Sequence, residues 1–568
     1  MSDVTLDDVV SALRANAGNV SAAARDLGTN RRRIIRWRDK AINQGIDVPL
    51  PPWNPAKGEI IESSYAHKER VKQAADAGWV AQEDIPALTG GRIDTRDIEY
   101  MDTPPDGEVR RYILSAAVNN TNVHDAFWEN LTALADYYSA AIYIRRIAYN
   151  LSAWRRLGAD TEIEGGPDEA IKWDHCVLPF VNEERVELAP DLQWAGDAPM
   201  TATAASPLSG YDTFTGSASA IFGATKIEMR SIATMRGDPA KILYTTGVVT
   251  QRNYSETKVG QKADWHHIYG AMLVEVDSDG DWFVRPLVGD ESGTIHDLNI
   301  TVSNGKVIEG HNLAALTPGD IHVADLDPDI EDALCEIIDT LRPAEIHLHD
   351  VHDHKSRSHH DRKNPFRQFE LHDADADDVR AEVRADAEFL SRIDRPFMKS
   401  VVIASNHDDH LRRWLAESDW RQDPKNARFY LQAADAMLEG IEQGIDFNLL
   451  EWACRKEGCP DDVVFLRPDQ SHKVADVECG LHGDQGPNGS RGSIRALSKI
   501  GAKVNIGHSH TAGIMDGAWQ AGLIGGDKQY VTMDYSRGPS SWSRSMIGTF
   551  PNGKRTMITM RGLKWRAV

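Results

Sequence analysis

Five short polar islands between residues 320 and 510 constrain this 568-residue chain more than anything else in it. They read Asp320-Ile321-His322, His349-Asp350, Ser405-Asn406-His407-Asp408, His482-Gly483-Asp484 and Gly507-His508-Ser509-His510. Each offers Asp, Asn or His, the oxygen and nitrogen donors that borderline divalent ions accept. Four islands close or follow an apolar run of strand length: Glu345 to His349, Ser400 to Ala404, Asp476 to Leu481 and Lys503 to Ile506. The first opens one, Ile321 to Ala324. This pattern predicts an α/β fold with ligand groups on loops at strand ends, held by a rigid sheet. Asp320 and His322 are two apart, so on a regular strand both face one side. A helix is predicted from Glu331 to Leu341, between the first two strands. Nine of the 21 histidines fall in residues 347–410, and His347, His352, His354, His359 and His360 crowd one polar stretch. Taken singly, such histidines are solvated groups more often than ligands. The ordered set of five islands is what resists coincidence.

That order, D-x-H, D, N-H-D, H, G-H-x-H, resembles the calcineurin-like metallophosphoesterase superfamily over residues 320–510. The resemblance implies an α/β domain at residues 311–568, built as a four-layer α/β/β/α sandwich around a binuclear metal site. Asp320, His322 and His510 would hold the first ion. Asp350 would bridge, and Asn406, His482 and His508 would hold the second. His407 would be general acid or transition-state stabiliser, oriented by Asp408, and Asp353 matches a trailing acid of the second motif. The implied cofactors are two divalent ions, Mn2+ ahead of Fe, Zn, Ni or Mg. The chain departs from the pattern at His349 and Ser405, where the family usually has glycine; both positions concern backbone room, not ligation.

The N-terminus is a separate unit. Thr5-x-x-Asp8 is a capping box that opens a helix from Leu6 to Ala15. Ser21 to Leu27 reads as a second helix stopped by Gly28, and Thr29 caps a third running to Ala41. The arrangement resembles the homeodomain-like helix-turn-helix units of phage and bacterial DNA-binding proteins. The third helix carries Arg31, Arg32, Arg33, Arg36 and Arg38, the candidate DNA contacts, with Lys40. Residues 1–45 hold eight Lys/Arg against five Asp in a chain of net charge −23. The overall sign excludes nonspecific coating of nucleic acid, whereas a local basic patch permits docking. The alternative is a small solvated three-helix bundle that binds protein.

A chain this long exceeds one core. The expected division is residues 1–48 (helix-turn-helix), 49–105 (Pro-rich linker and adaptor), 106–310 (a mixed α/β and β-rich accessory region) and 311–568. In the middle region, strands at Tyr112–Val118 and Ala141–Ile147 flank a helix at Val123–Tyr138. Further strands are predicted at Lys241–Val249, Tyr269–Val276 and Trp282–Val288, the last two joined by a turn at Ser278–Asp281. Apolar content of 41% excludes wholesale disorder, and the lack of an 18-residue apolar run excludes a membrane span. Five sparse cysteines do not make a disulfide framework. A soluble, cytoplasmic chain is expected.

The whole layout resembles large phage-encoded metallophosphoesterases, including early DNA-degradation and DNA-transfer proteins of tailed phages. It implies a metal-dependent DNA nuclease that works in the host cytoplasm on DNA, as a homo-oligomer, a dimer first. The alternatives are a phosphodiesterase or phosphatase acting on nucleotides or proteins, and a DNA-binding regulator or scaffold whose metal site is structural. Endo- and exonucleolytic cutting stay open.

Overall fold

The computed structural model describes residues 5–15, 103–149, 172–526 and 537–567, with a few isolated positions and three short strands at 60–62, 79–81 and 99–100. The chain forms two compact units: Met1–Ile60 with Ile308–His311, and Ile61–Val307 with Asn312–Val568. In the first, α1 (Leu6–Ala15) starts at the predicted capping box. Asp8 N donates to Thr5 Oγ1 at 3.3 Å, and Thr5 N donates back to Asp8 Oδ2 at 2.9 Å. Val9, Val10 and Leu13 are buried. Except for Ala23 and Leu27, the second and third predicted helices lie outside the described residues. So do Arg31, Arg32, Arg33, Arg36 and Arg38, and the linker at Pro49–Lys57.

After its short strands at 79–81 and 99–100, the second unit continues with β1 (Arg110–Val118), α2 (Asp125–Tyr138) and β2 (Ala141–Ile147), in which β1 and β2 pair in parallel. Five short strands follow: β3 (Arg185–Ala189), β4 (Leu192–Ala195), β5 (Ser219–Phe222), β6 (Met229–Ile232) and β7 (Lys241–Thr245). The hairpin of β8 (Gly270–Val276) and β9 (Trp282–Val288) then joins β1, giving a four-stranded sheet ordered β9-β8-β1-β2. Alternate residues of these strands serve two cores, as period-two geometry requires. Ile113, Ala117 and Leu273 pack on Phe127, Leu131 and Leu134 of α2. Tyr112, Leu114 and Met272 face the other way.

The C-terminal half supplies β10 (Ala315–Asp320), α3 (Pro328–Leu341), β11 (Glu345–His349), α4 (Val379–Ile393), β12 (Lys399–Val402), α5 (Leu449–Lys456) and β13 (Val464–Phe465). It continues with β14 (Val477–Glu478), β15 (Lys503–Ile506), β16 (Gly513–Met515), β17 (Ala518–Gln520), β18 (Ser545–Thr549) and β19 (Arg555–Thr559). A six-stranded sheet runs β13-β12-β11-β10-β18-β19, its first four strands parallel and its last two joined antiparallel. Helices cover one face of it: Ile330, Leu334, Ile337 and Leu341 recur at helical spacing on α3 and pack with Ile346, Leu348 and Val402.

The strand expected at Ile321–Ala324 lies earlier. β10 ends at Asp320, and Pro318-Gly319, which reads as a strand breaker, sits inside it at a register shift between Leu316 and Gly319. Gly319 has φ 97° and presses on Gly522, where a Cβ would lie 2.3 Å from the carbonyl oxygen. After Asp320 the chain turns through His322 at φ 50°, so the two side chains converge by a left-handed turn and not by strand alternation.

The largest sheet has eleven strands. Lys473–Val474 forms one edge, then come β14-β15-β17-β16-β6-β7-β5-β4-β3, and Glu99–Tyr100 forms the other edge. Met229 of β6 pairs with Ile514 of β16, so this sheet crosses residue 310. The core is continuous across the same point: Leu114 and Val274 pack with Val186, Trp194, Ile514, Trp519, Ile547 and Met557. Residues 106–310 and 311–568 therefore share a sheet and a core. No helix among the described residues is long and apolar enough to cross a membrane. The five cysteines are free thiols.

Candidate metal centre

Two sheets deliver the polar islands to one place. The C-terminal ends of parallel β10, β11 and β12 present Asp320, Asp350 and Asn406, and parallel β14 and β15 of the large sheet lead to His482 and to His508 and His510. The backbone ties the ends together. His322 N donates to Asp350 O at 2.8 Å, Gly507 N to His482 O at 2.8 Å, and Ile524 N to Asp320 O at 2.8 Å. Gly507 is needed for the approach: a Cβ there would lie 2.3 Å from Asp320 Oδ1, the atom that accepts His508 N at 2.9 Å. His322, Asp350, His508 and His510 all hold positive φ, between 45° and 74°. Such strain collects at functional sites.

The donors form two groups that meet at Asp350. In the first, His322 Nε2 lies 3.0 Å from His510 Nε2, His510 Nε2 lies 3.2 Å from Asp320 Oδ2, and His322 Nε2 lies 3.7 Å from Asp350 Oδ2. In the second, Asn406 Oδ1 lies 3.1 Å from both His482 Nε2 and His508 Nδ1, and His482 Nε2 lies 3.4 Å from Asp350 Oδ1. Asp350 thus turns one oxygen to each group. Asp320, His322, Asp350, His482 and His510 are buried. Asp350 Oδ1 and His510 Nδ1 have no hydrogen-bond partner among the described residues.

This set fits divalent ions. Bonds of about 2.0–2.2 Å to nitrogen and oxygen place neighbouring ligand atoms roughly 3–3.6 Å apart, close to the separations of 3.0 to 3.7 Å seen here. Asp320, His322, Asp350 and His510 converge closely enough to share one ion. The electrostatics agree. Burial works against a charge on His322, yet Asp353, Asp350 and Asp320 push its pKa up to about 10. The field that stabilises that proton also attracts a cation. Burial likewise opposes ionised Asp350, but His482, His407 and His322 hold its carboxyl far below the ordinary range.

His407 stands at the rim, partly exposed, its ring 5.0 Å from that of His322. The carboxylate facing it is Asp353, whose Oδ1 lies 3.6 Å from His407 Nδ1 and 2.5 Å from His322 Nδ1. A carboxylate behind a ligating imidazole fixes its tautomer and orientation. Asp408, expected to orient His407, does something else: the turn at Ser405, whose Oγ accepts Asp408 N at 3.1 Å, swings Asp408 back to accept His352 N at 3.2 Å. Burial and the charge of Asp350 push Asp408 up to about 6. His349 carries a role that sequence reading missed by treating it only as a filled glycine slot. Its ring packs on His482, Nδ1 to Nδ1 at 3.2 Å, and burial and His482 push it down to about 3, so it stays neutral beside the ligands. The signal was available in its pairing with Asp350 at the end of an apolar run.

The chain is 34% identical over 527 residues to Protein A1 of Escherichia phage T5, an alignment that covers 89% of this chain and 90% of that protein. No family model and no solved structure matches the chain. With near-complete coverage of both proteins at that identity, the chain belongs to the same family as Protein A1 of phage T5.

Proposed function

We propose that the protein is a phage-encoded, metal-dependent DNA nuclease whose C-terminal half follows the four-layer sandwich of calcineurin-like metallophosphoesterases. The observation that carries this reading is Asp350, which turns Oδ2 toward His322 and Oδ1 toward His482, at the junction of two donor groups. Asp320, His322 and His510 would hold one ion, Asn406, His482 and His508 the other, and Asp350 both. When bound, two divalent cations, Mn2+ first, supply Lewis acidity toward a phosphoryl oxygen and acidify a water. The chain's own groups do the rest. His407 loses proton affinity to burial but gains more from Asp350 and Asp353, which favours the protonated ring beside the leaving oxygen. Asp353 holds His322 and faces His407 at once, so both imidazoles keep one orientation. The arginine row of residues 31–38 would tether DNA and raise its local concentration at the centre.

The test is hydrolysis of linear and circular double-stranded DNA with Mn2+ or chelator. Cutting is expected with Mn2+ alone. His407→Ala should lower the rate by about 10²–10⁴, the usual contribution of a proton-transfer group. Asp350→Asn should abolish it. Unchanged cutting in both variants would overturn the assignment, and hydrolysis confined to small esters would favour a phosphodiesterase of nucleotides.

A further inference from the structure

A second convergence of imidazoles and carboxylate lies at the other end of β11 and takes no part in the proposed hydrolysis. Alternation along the strand sends Ile346 and Leu348 into the helix-covered core and turns Glu345 and His347 to the opposite face. There they meet His472, from the loop before the edge strand Lys473–Val474. His472 Nε2 lies 2.6 Å, and His347 Nε2 3.3 Å, from the same atom, Glu345 Oε2. One donor atom from each of the three side chains lies within 4.8 Å of the other two. The two ends of β11 are about 13 Å apart at ~3.3 Å per residue, so this cluster is separate from the one around Asp350.

Two imidazoles and one carboxylate are the protein donors of three-residue zinc sites, in which water takes the fourth position. Water can reach it here: His347 is wholly buried, but the side chains of Glu345 and His472 are 23% and 19% exposed. Burial pushes the pKa of His347 down, and hydrogen bonds from His347 and His472 hold the Glu345 carboxyl below its ordinary range. Neutral imidazole and ionised carboxylate are the forms that ligate.

The surroundings hold the donors in place. Thr317 Oγ1 lies 3.4 Å from His347 Nδ1, where it accepts that nitrogen's proton when Nε2 faces an ion. His472 N and Gly480 N both donate to Glu478 Oε1 at 2.8 Å, and Cys479 N donates to His472 O at 2.8 Å. The His472 backbone is thereby fixed to β14. Glu345 Oε2 and His472 Nε2 need only part from 2.6 Å to the ~3.4 Å of tetrahedral donors. Imidazole suits zinc, whereas Mn2+ stands at the weak end of the divalent series.

We propose that Glu345, His347 and His472 form a further metal site, for a zinc-type divalent ion, that fastens the edge of the eleven-stranded sheet to β11. The site is independent of the hydrolytic reading and stands or falls without it.

The test counts zinc bound per chain after the full-length protein is dialysed against buffered zinc. Wild type should hold one equivalent more than His472→Gln, which keeps a hydrogen-bond donor for Glu345 but lacks the imidazole. Glu345→Gln should lose the same equivalent, and the double variant should lose one and not two. The difference should persist in an Asp350→Asn background, where the hydrolytic centre is impaired in every sample alike. Zinc should also raise Tm more in wild type than in His472→Gln. Far-UV circular dichroism without zinc checks folding, and if one single variant is unfolded the other decides. Equal zinc in wild type and the folded variants would overturn the site and leave a hydrogen-bonded cluster. A loss of two equivalents in the double variant would overturn it as well, because the two residues would then serve different ions.

Discussion

His267 shows how one buried side chain can set a pH limit on the whole protein. Its Nε2 lies 2.9 Å from Thr250 O and its Nδ1 lies 2.8 Å from the Tyr254 hydroxyl. The neutral ring satisfies both partners: Nε2–H donates to the carbonyl and Nδ1 accepts the phenol proton. Burial pushes the pKa down to about 4. An unfolded histidine titrates near 6.5, so between these values the unfolded chain binds the extra proton. The stability contribution is therefore intact above pH ~6.5 and falls as the pH drops toward 4, by about 3 kcal/mol in all. Urea unfolding at pH 7.5, 5.5 and 4.5 checks this. Wild type should lose more stability over that range than His267→Gln, which has no ring to protonate. Parallel pH profiles would refute the assignment. Nothing in the sequence around His267 announces this, because the partners come from a loop and a tyrosine whose approach only folding decides.

At the scale of elements, legibility followed apolar runs. The bounds predicted for Ala141–Ile147, Trp282–Val288, Glu345–His349 and Lys503–Ile506 are those of β2, β9, β11 and β15. These runs are buried enough for composition alone to mark them. β10 was misread because Thr317-Pro318-Gly319 carries the residue types of a turn. A proline and a glycine are tolerated there because the register shift removes the regular ladder at that point. The glycine is then required, since φ 97° disfavours any side chain and the nearest obstacle to a Cβ is the backbone carbonyl of Gly522, which cannot swing aside as a side chain can. Gly319→Ala should lower stability by about 1–3 kcal/mol, the usual weight of a residue forced into such a conformation, and loosen the neighbouring Asp320. A shift in the urea midpoint and weaker Mn2+ binding are the two readouts. An unchanged midpoint would mean that the strand adjusts freely.

At the scale of the molecule, the least legible feature was the joining of distant segments. β6 pairs with β16 across more than 280 residues of chain, and such pairing depends on tertiary burial that no local pattern encodes. The ligand islands were legible because chemistry restricts their residue types, but which sheet each island arrives on was not. This division has a thermodynamic consequence. Asp320, Asp350 and Asn406 hang on the six-stranded sheet, and His482, His508 and His510 on the eleven-stranded one, so an ion held between them cross-links the two. Any ion that binds the folded and not the unfolded chain adds RT ln(1 + [ion]/Kd), about 2.7 kcal/mol at a hundredfold excess over Kd. Saturating Mn2+ should therefore raise Tm by on the order of a few degrees, and chelator should reverse the gain. Asp350→Asn should cancel most of the shift, because it weakens the carboxylate that both donor groups share. An Asp279→Asn control alters the acidic cluster of Asp277, Asp279 and Asp281 that Lys564 bridges, away from the shared carboxylate, and should leave the shift intact. A Mn2+ shift that survives Asp350→Asn would place the stabilising ion elsewhere and remove the sheets' cross-link from the account of stability.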